Sequence, residues 1–147
     1  MAAVRLFEAA FQYLSGVSAV TALIGTGTAC RIYELYAEQG RAILYPCVVA
    51  EDDGEGVEHQ FGSAPTSETR LLALDCQATT AAAAQELANA VYAALIRQEA
   101  AIVTATGWPV RAIHCIERGT AEYFPDLETD KKLFSARLEF RVIQDIG

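Results

Sequence analysis

The segment of residues 67–97 constrains the fold most, because its hydrophobic period changes halfway along. In residues 69–77 both alternations are largely apolar, and only Asp75 interrupts them, as in a strand covered on both sides. From residue 84 the larger apolar residues recur at helical spacing, as Leu87, Val91, Tyr92 and Leu95. Thr79 or Thr80 can cap this helix through its hydroxyl. A strand followed at once by an amphipathic helix predicts that the helix folds back onto the sheet.

Other segments extend this arrangement into a single domain of 147 residues. Apolar spacing predicts an N-terminal helix over residues 4–14 and a second helical segment capped by Ser18. Strands are predicted at residues 47–50, 57–61, 108–117 and 132–143, with a linker at residues 100–107. The sequence therefore predicts an α+β fold with a mainly antiparallel sheet packed against one long helix, preceded by N-terminal helices.

Charge and cysteine content narrow the classes of function. The net charge of −8 argues against binding nucleic acid by neutralising phosphates. No apolar run approaches the roughly 20 residues of a membrane span, and residues 1–19 are interpreted as a folded helix in a cytoplasmic product. The four cysteines lie far apart, and at least three fall in predicted strands, so buried free thiols are favoured over disulfides.

Signals for catalysis or metal binding are weak. His114 and Cys115 are neighbours in a predicted strand, so their side chains point to opposite faces. The sequence has no Cys-x-x-Cys pair, and Gly25 to Thr28 follows a helix and lacks the lysine of a phosphate loop. We therefore predict no enzyme, no cofactor and no metal. A small α+β enzyme or ligand-binding domain that uses His114, Cys115 and nearby acids in a pocket stays open as an alternative. A concave site that brings His114 within hydrogen-bond reach of Cys30, Cys47 or Cys76 would favour it.

Two polar segments, residues 52–62 and 119–130, are predicted to be loops that contact partners, because loops on a rigid scaffold often carry function. The first clusters carboxylates but lacks the calcium-binding frame, which favours a solvated turn. The second contains Tyr-Phe-Pro, and aromatic residues are enriched where protein surfaces bury one another. The predicted interface residues are Asp52, Asp53, Glu55, Phe61, Tyr123, Phe124, Asp126 and Glu128.

The order of several short motifs resembles a known family. An amphipathic N-terminal helix is followed by SAVTALIG at residues 18–25, RIY at 31–33 and YPCVV at 45–49. Later come RLLALDCQ at residues 70–77, TTAAAA at 79–84, LANAV at 87–91 and LEFRV at 138–142. Together they resemble the phage tail completion family, formerly known only as a domain of unknown function. The resemblance spans nearly the whole chain and lies in the order and spacing of the motifs.

The resemblance implies structural work in a virion. Proteins of this kind resemble the tail terminators of long-tailed phages, which form a hexameric ring, stop growth of the tail tube and present a surface to the head connector or stopper. The resemblance also implies a homo-oligomer that is assembled in the host cytoplasm and resides in the virion tail or neck. DNA is expected to pass through its lumen without specific binding. Another neck protein, a connector or stopper, is the alternative within the same class. Subunit contacts are expected from sheet edges and the two polar loops.

Overall fold

A computed structural model describes residues 6–34, 43–58, 67–125 and 132–145. Two short helices and one 3-10 turn come first, followed by three strands, two further helices and three more strands. In chain order these are α1 Leu6–Leu14, α2 Ser18–Ile24, the turn Gly27–Ala29, β1 Ile32–Glu34, β2 Cys47–Glu58, β3 Ser67–Ala78, α3 Ala81–Leu95, α4 Glu99–Thr106, β4 Val110–Arg118, β5 Glu122–Pro125 and β6 Lys132–Asp145.

The strands form one six-stranded sheet with the order β1-β2-β3-β6-β4, in which β5 also pairs with β6. β3 lies at the centre and pairs with β6 along its whole length, from Ser67 opposite Asp145 to Ala78 opposite Phe134. Only β1 and β2 among the described strands run parallel. The α+β class and the mainly antiparallel sheet predicted from the sequence are therefore confirmed.

Each of the helices α1 to α4 contributes to the core cluster that lies against one face of the sheet, here called the inner face. The inner face presents alternate residues of the central strands, and the helices supply the side chains that cover them. The fully buried members include Leu72, Leu74, Cys76, Leu138, Phe140 and Val142 from the strands, and Leu14, Ile24, Leu87, Val91, Leu95 and Ile102 from the helices. The apolar side chains of the strands recur at every second residue, and those of the helices recur about every 3.6 residues. The two sets thus pack against each other in one apolar layer.

α3 starts where the sequence predicts, and Thr80 is the cap. Its hydroxyl accepts a hydrogen bond of 3.1 Å from the Ala83 amide, one of the free amides of the first turn. The expectation of one long helix is not confirmed, because α3 has 15 residues and shares the cover with three shorter helices. Its end is tied to α1, since the Tyr13 hydroxyl donates to the Ala94 carbonyl at 2.7 Å.

Two local predictions about helices were wrong. Ser18 is the first residue of α2, and the N-cap position belongs to Val17, which has no side-chain hydrogen bond. The predicted linker at residues 100–107 is mostly helix α4, which ends at Gly107 in the left-handed conformation (φ 73°). α4 escaped sequence analysis because Ile102 alone among its residues is buried, so its apolar pattern is weak.

The two segments predicted as loops contain strands. Residues 51–58 continue β2, which pairs with β3 down to Glu58 opposite Ser67, with a register irregularity between Asp52 and Glu55. Residues 122–125 form β5 on the edge of β6. Residues 57 and 58 fall within the strand predicted at 57–61, but the rest of these two stretches was not predicted, because backbone pairing forms a strand even where the side chains show no apolar alternation.

All four cysteines are free thiols, as the sequence predicted, and Cys30, Cys47 and Cys76 are buried. Burial raises the pKa of the Cys47 thiol to about 12, and it raises the pKa of Cys76 as well. Cys115 is half-buried. The three buried thiols therefore serve as small apolar side chains in the core.

The two N-terminal helices are strongly bent against each other, at 94°. In the described part of the chain no single helix is long and apolar enough to cross a membrane, although α1 and α2 together pass that test of length and composition.

Candidate functional site

The sheet face turned away from the helices, here called the outer face, carries the features that suggest a site. Toward β1 it is covered by a small cluster in which Tyr33, Cys47 and Val49 pack with Ile43 and Tyr45. Toward β6 and β5 it opens into a cleft of about 310 Å³. The cleft lies at the end of the sheet where β4 leads into β5.

Acidic groups dominate the charge of the cleft. Among the described residues, its lining includes Asp75 from β3, Glu117 from β4, Glu122 from β5 and one cation, Arg137 from β6. The remaining lining is polar or aromatic. Three carboxylates and one guanidinium sum to −2, so the cleft attracts positively charged groups.

Arg137 is already engaged by its own chain. Its Nη1 lies 3.2 and 3.3 Å from the two carboxylate oxygens of Asp75, the residue directly opposite on β3, and its Nη2 lies 3.8 Å from Glu51 on β2. Burial raises the pKa of the Asp75 carboxyl above its ordinary value, Arg137 opposes that shift, and Glu117 adds to it. Asp75 is thus a partly desolvated carboxylate in the lining of the cleft.

Glu117 reaches this face because β4 is irregular. The register of β4 against β6 shifts between Val110 and Ala112 and again between Cys115 and Glu117. The second shift places Glu117 on the outer face and Arg118 on the inner face, where Arg118 lies 3.9 Å from the centre of the Tyr92 ring. The regular alternation predicted for residues 108–117 is therefore broken at two bulges, which re-aim side chains.

The rim of the cleft is held by α3 and by β6. Gln85 of α3 accepts a hydrogen bond of 3.1 Å from the Ala121 amide, and Asn89 accepts one of 3.2 Å from Arg118. The Gly119 amide donates to the Arg137 carbonyl at 2.8 Å, and a Cβ at Gly119 would lie only 3.1 Å from that oxygen. These hydrogen bonds hold the connection from β4 to β5 against α3 and β6.

An aromatic pair lies at the β5 edge of the sheet, and the strand register places its rings on the helix side, opposite to Glu122 and Phe124. Tyr123 is 57% exposed and lies on Phe134 in an edge-on arrangement with 5.7 Å between ring centres. Phe124 lines the cleft and is half-buried. The sequence prediction that singled out Tyr123 and Phe124 thus falls on residues that border a cleft, while their part in an interface remains a prediction.

The other predicted interface residues do not join this cleft. Asp52 lies on the inner-face side of β2, where it forms an ion pair with Arg70. Asp53 and Glu55 lie further along β2. Phe61, Asp126 and Glu128 lie outside the described residues.

Asp52 and Arg70 continue into a buried polar chain at the far end of the sheet. Arg70 Nη1 lies 3.7 Å from Glu68, Glu68 accepts from the Gln144 side-chain amide at 2.6 Å, and Gln144 accepts from the Trp108 indole at 2.8 Å. Glu68 and Gln144 are buried. Each buried polar group here has a partner, so the chain joins β3, β6 and the start of β4.

Sequence reasoning missed Asp75, Glu117 and Arg137. Asp75 was visible as the one charge in an apolar strand, and Arg137 as a polar position of β6. Asp75 and Arg137 come into contact because β3 pairs with β6, and the residue patterns do not specify that pairing. Glu117 depends on a bulge for which residue patterns carry no signal.

The alternative site around His114 does not form. His114 is exposed on β4 opposite Arg141, whereas Cys47 and Cys76 lie beyond β6 on β2 and β3. Within the described residues no group of three or more histidine, cysteine, aspartate or glutamate side chains could hold a metal ion. Chemically, the cleft offers carboxylates for a cation and aromatic surface for packing.

Comparison with known proteins identifies a structural neighbour. No family model and no curated protein matches the chain. Among solved structures, the fold is similar to a chain in the virion of a native gene transfer agent particle, with a TM-score of 0.58 and 18% identity. The match covers 96% of this chain and 95% of that one. The two chains therefore share a fold from end to end.

Proposed function

We propose that this protein is a structural virion protein that ends growth of the tail tube and joins the tail to the head connector or stopper. The end-to-end similarity of its fold to a chain of a gene transfer agent virion carries the proposal. The motifs that resemble the tail completion family support it, because they occupy the elements that define the fold: α2, β1, β2, β3, α3 and β6.

The protein acts as a ring of identical subunits, which we take to be a hexamer. A subunit in a closed ring must present two different surfaces to its neighbours. The outer face supplies one candidate, since it carries a charged cleft instead of a helical cover. The exposed Tyr123 ring lies on Phe134 at the adjoining β5 edge of the sheet. Of the interface residues proposed from the sequence, Tyr123 and Phe124 border this cleft.

The charge of the chain suits a ring through which DNA travels. A net charge of −8 repels phosphates, so DNA slides through the lumen without specific binding. The tail tube protein on one side and the head connector or stopper on the other are the proposed partners. Assembly takes place in the host cytoplasm, and the finished protein resides in the virion tail or neck.

A connector or stopper role is the second candidate within the same class, and the binding partner distinguishes it. Binding to isolated tail tubes supports the terminator, whereas binding only to the portal-proximal complex supports the connector. A catalytic or ligand-binding role centred on His114 is disfavoured, because His114 is separated from the buried cysteines by β6.

Imaging the purified protein tests the proposal. Negative-stain electron microscopy and light scattering should reveal rings, alone or after addition of tail tubes, and ring-capped tubes should no longer elongate in the presence of tube protein. A strict monomer that leaves tube elongation unchanged would refute the proposal.

A further inference from the structure

β4 forms one edge of the sheet. Among the described strands it pairs with β6 on one side and with no strand on the other. The backbone amides and carbonyls on the open side of an edge strand can pair with a strand of another molecule, which is a common route to aggregation. A subunit that has to bind particular neighbours therefore benefits from a device that prevents strand addition at this edge.

Two bulges shorten the part of β4 that an added strand could use. The register against β6 shifts between Val110 and Ala112 and again between Cys115 and Glu117, so regular pairing runs only from Ala112 to Cys115. Within this stretch the amide of Ile113 lies on the open side, because it donates to a side chain of α4. Ile113 is therefore the position where an added strand would find a regular backbone donor.

A carboxylate of the same chain already occupies that amide. Glu99 Oε1 accepts a hydrogen bond of 3.1 Å from the backbone N–H of Ile113. A hydrogen bond from a backbone amide to a carboxylate is charge-assisted and roughly twice as strong as a neutral one. Ile113 is buried and Glu99 is half-buried, so water competes little for this bond. An added strand would have to displace a strong acceptor.

The fold directs Glu99 toward β4. Arg97, at the corner between α3 and α4, has a positive φ of 60°, and α4 then contacts β4. Ile102 of α4 is fully buried, and residues three apart lie on the same face of a helix. Burial of Ile102 therefore turns Glu99, the first residue of α4, toward the sheet.

We propose that Glu99 closes the β4 edge to strand addition by a second copy of the chain. Its carboxylate takes the position that a carbonyl of the added strand would need, and the bulges on both sides prevent a longer ladder from forming around it. The contacts of the proposed ring then use surfaces other than the open side of β4. The closure itself does not require the ring, because it acts on the free subunit.

Two substitutions separate the reach of Glu99 from its charge. Glu99→Asp keeps the charge but is one methylene shorter, so it should leave the Ile113 amide without its acceptor. Glu99→Gln loses the charge and keeps the reach through its side-chain carbonyl. Below the concentration at which the protein associates, hydrogen exchange of the Ile113 amide should be about tenfold faster in Glu99→Asp than in the parent, and near the parent rate in Glu99→Gln.

Sedimentation velocity then measures strand addition. Association beyond the parent's own assembly should begin at a concentration at least about tenfold lower in Glu99→Asp, and at the parent concentration in Glu99→Gln. The double variant Glu99→Asp with Ile116→Lys locates the contact. Ile116 is 48% exposed at the second bulge of β4, and a lysine on an edge strand opposes strand addition, so the double variant should associate like the parent. Circular dichroism establishes that each variant is folded.

Several results would overturn the closure. A folded Glu99→Asp that associates no more than the parent would do so, as would equal association of Glu99→Gln. Unchanged association of the double variant would place the contact away from β4. Rapid exchange of the Ile113 amide in the parent itself would show that Glu99 does not hold it, whether or not the variants fold. A parent that forms no ring overturns the ring proposal alone, because all these comparisons are made with the parent.

Discussion

The two faces of the sheet are built from the same strands and differ in almost every physical respect. The inner face meets the helices α1 to α4, and its central residues, such as Leu74 and Phe140, are fully buried. The outer face has an apolar patch near β1 and a charged cleft near β5. Alternation along each strand lets one face hold the fold together while the other remains available for contacts.

The faces also differ in how much energy their contacts contribute. Burying a large apolar side chain stabilises a fold by roughly 1.5–3 kcal/mol, so the inner face dominates stability. The ion pairs of Arg137 on the outer face are about a third exposed, and such pairs contribute ~0–1 kcal/mol. Substitutions on the inner face should therefore unfold the subunit, and substitutions around the cleft should leave it folded.

The largest expected effect is at the centre of the inner face. Phe140→Ala should lower the free energy of unfolding by ~3–5 kcal/mol, because it removes a fully buried ring and leaves a cavity. Urea denaturation measures the loss. The adjacent change Arg141→Ala, on the outer face, should cost no more than ~0.5 kcal/mol. Equal losses from the two variants would contradict the distinction between the faces.

A smaller effect is expected at the start of α3. Thr80→Ala removes the hydroxyl that accepts from Ala83 and should cost ~1 kcal/mol of unfolding free energy. Thr80→Ser keeps the hydroxyl and should restore most of it. Thr79→Ala serves as the neighbouring control and should melt like the parent protein. If Thr79→Ala is the more harmful change, Thr79 is the cap in solution.

Beside the cleft, a substitution should impair assembly and leave the subunit folded. Tyr123 is more than half exposed, so Tyr123→Ala should cost less than ~1 kcal/mol of stability. Ring formation, followed by light scattering, should nevertheless fall sharply, because the aromatic surface for the neighbouring subunit is removed. Tyr123→Phe retains the ring face and should assemble. Normal assembly of Tyr123→Ala would remove β5 from the interface.

The smallest effect is a pH dependence that originates at Asp75. Burial raises the pKa of this carboxyl in the folded protein, so the folded state holds the proton more tightly than the unfolded chain. The stability contributed by that proton is fully present below the unfolded pKa of about 3.9 and is lost as the pH rises through the higher folded pKa.

Asp75→Asn should therefore flatten the dependence of unfolding free energy on pH just above pH ~4. Urea denaturation across this range measures it, and Asp145→Asn provides an exposed carboxylate for comparison. Parallel curves for the parent and Asp75→Asn would show that burial of Asp75 does not control its proton.

Much of the scaffold followed from residue patterns. β3, α3, β4 and β6 were predicted close to their observed bounds, because each has a clear hydrophobic period and an apolar face to bury. α4 and β5 were missed since they bury few side chains, and their formation depends on neighbours: Glu99 of α4 accepts from the Ile113 amide, and β5 pairs with β6.

The candidate site was less predictable. Tyr123 and Phe124 stood out as aromatic residues in a polar segment. Asp75, Glu117 and Arg137 could not be grouped with them, because the cleft needs the β3–β6 register and the second bulge of β4. Asp52, chosen for its charge, is instead held by Arg70 in a polar chain on the other side of the sheet.

The sequence by itself determined the segment that organises the chain: the strand and helix of residues 67–97, with period two changing to period 3.6 and a threonine at the junction. Local spacing decides those features, because side-chain direction follows directly from backbone geometry. Only the tertiary structure decided which charges meet at the cleft, since β3 and β6 are distant in sequence and a one-residue change of register would turn Arg137 to the opposite face.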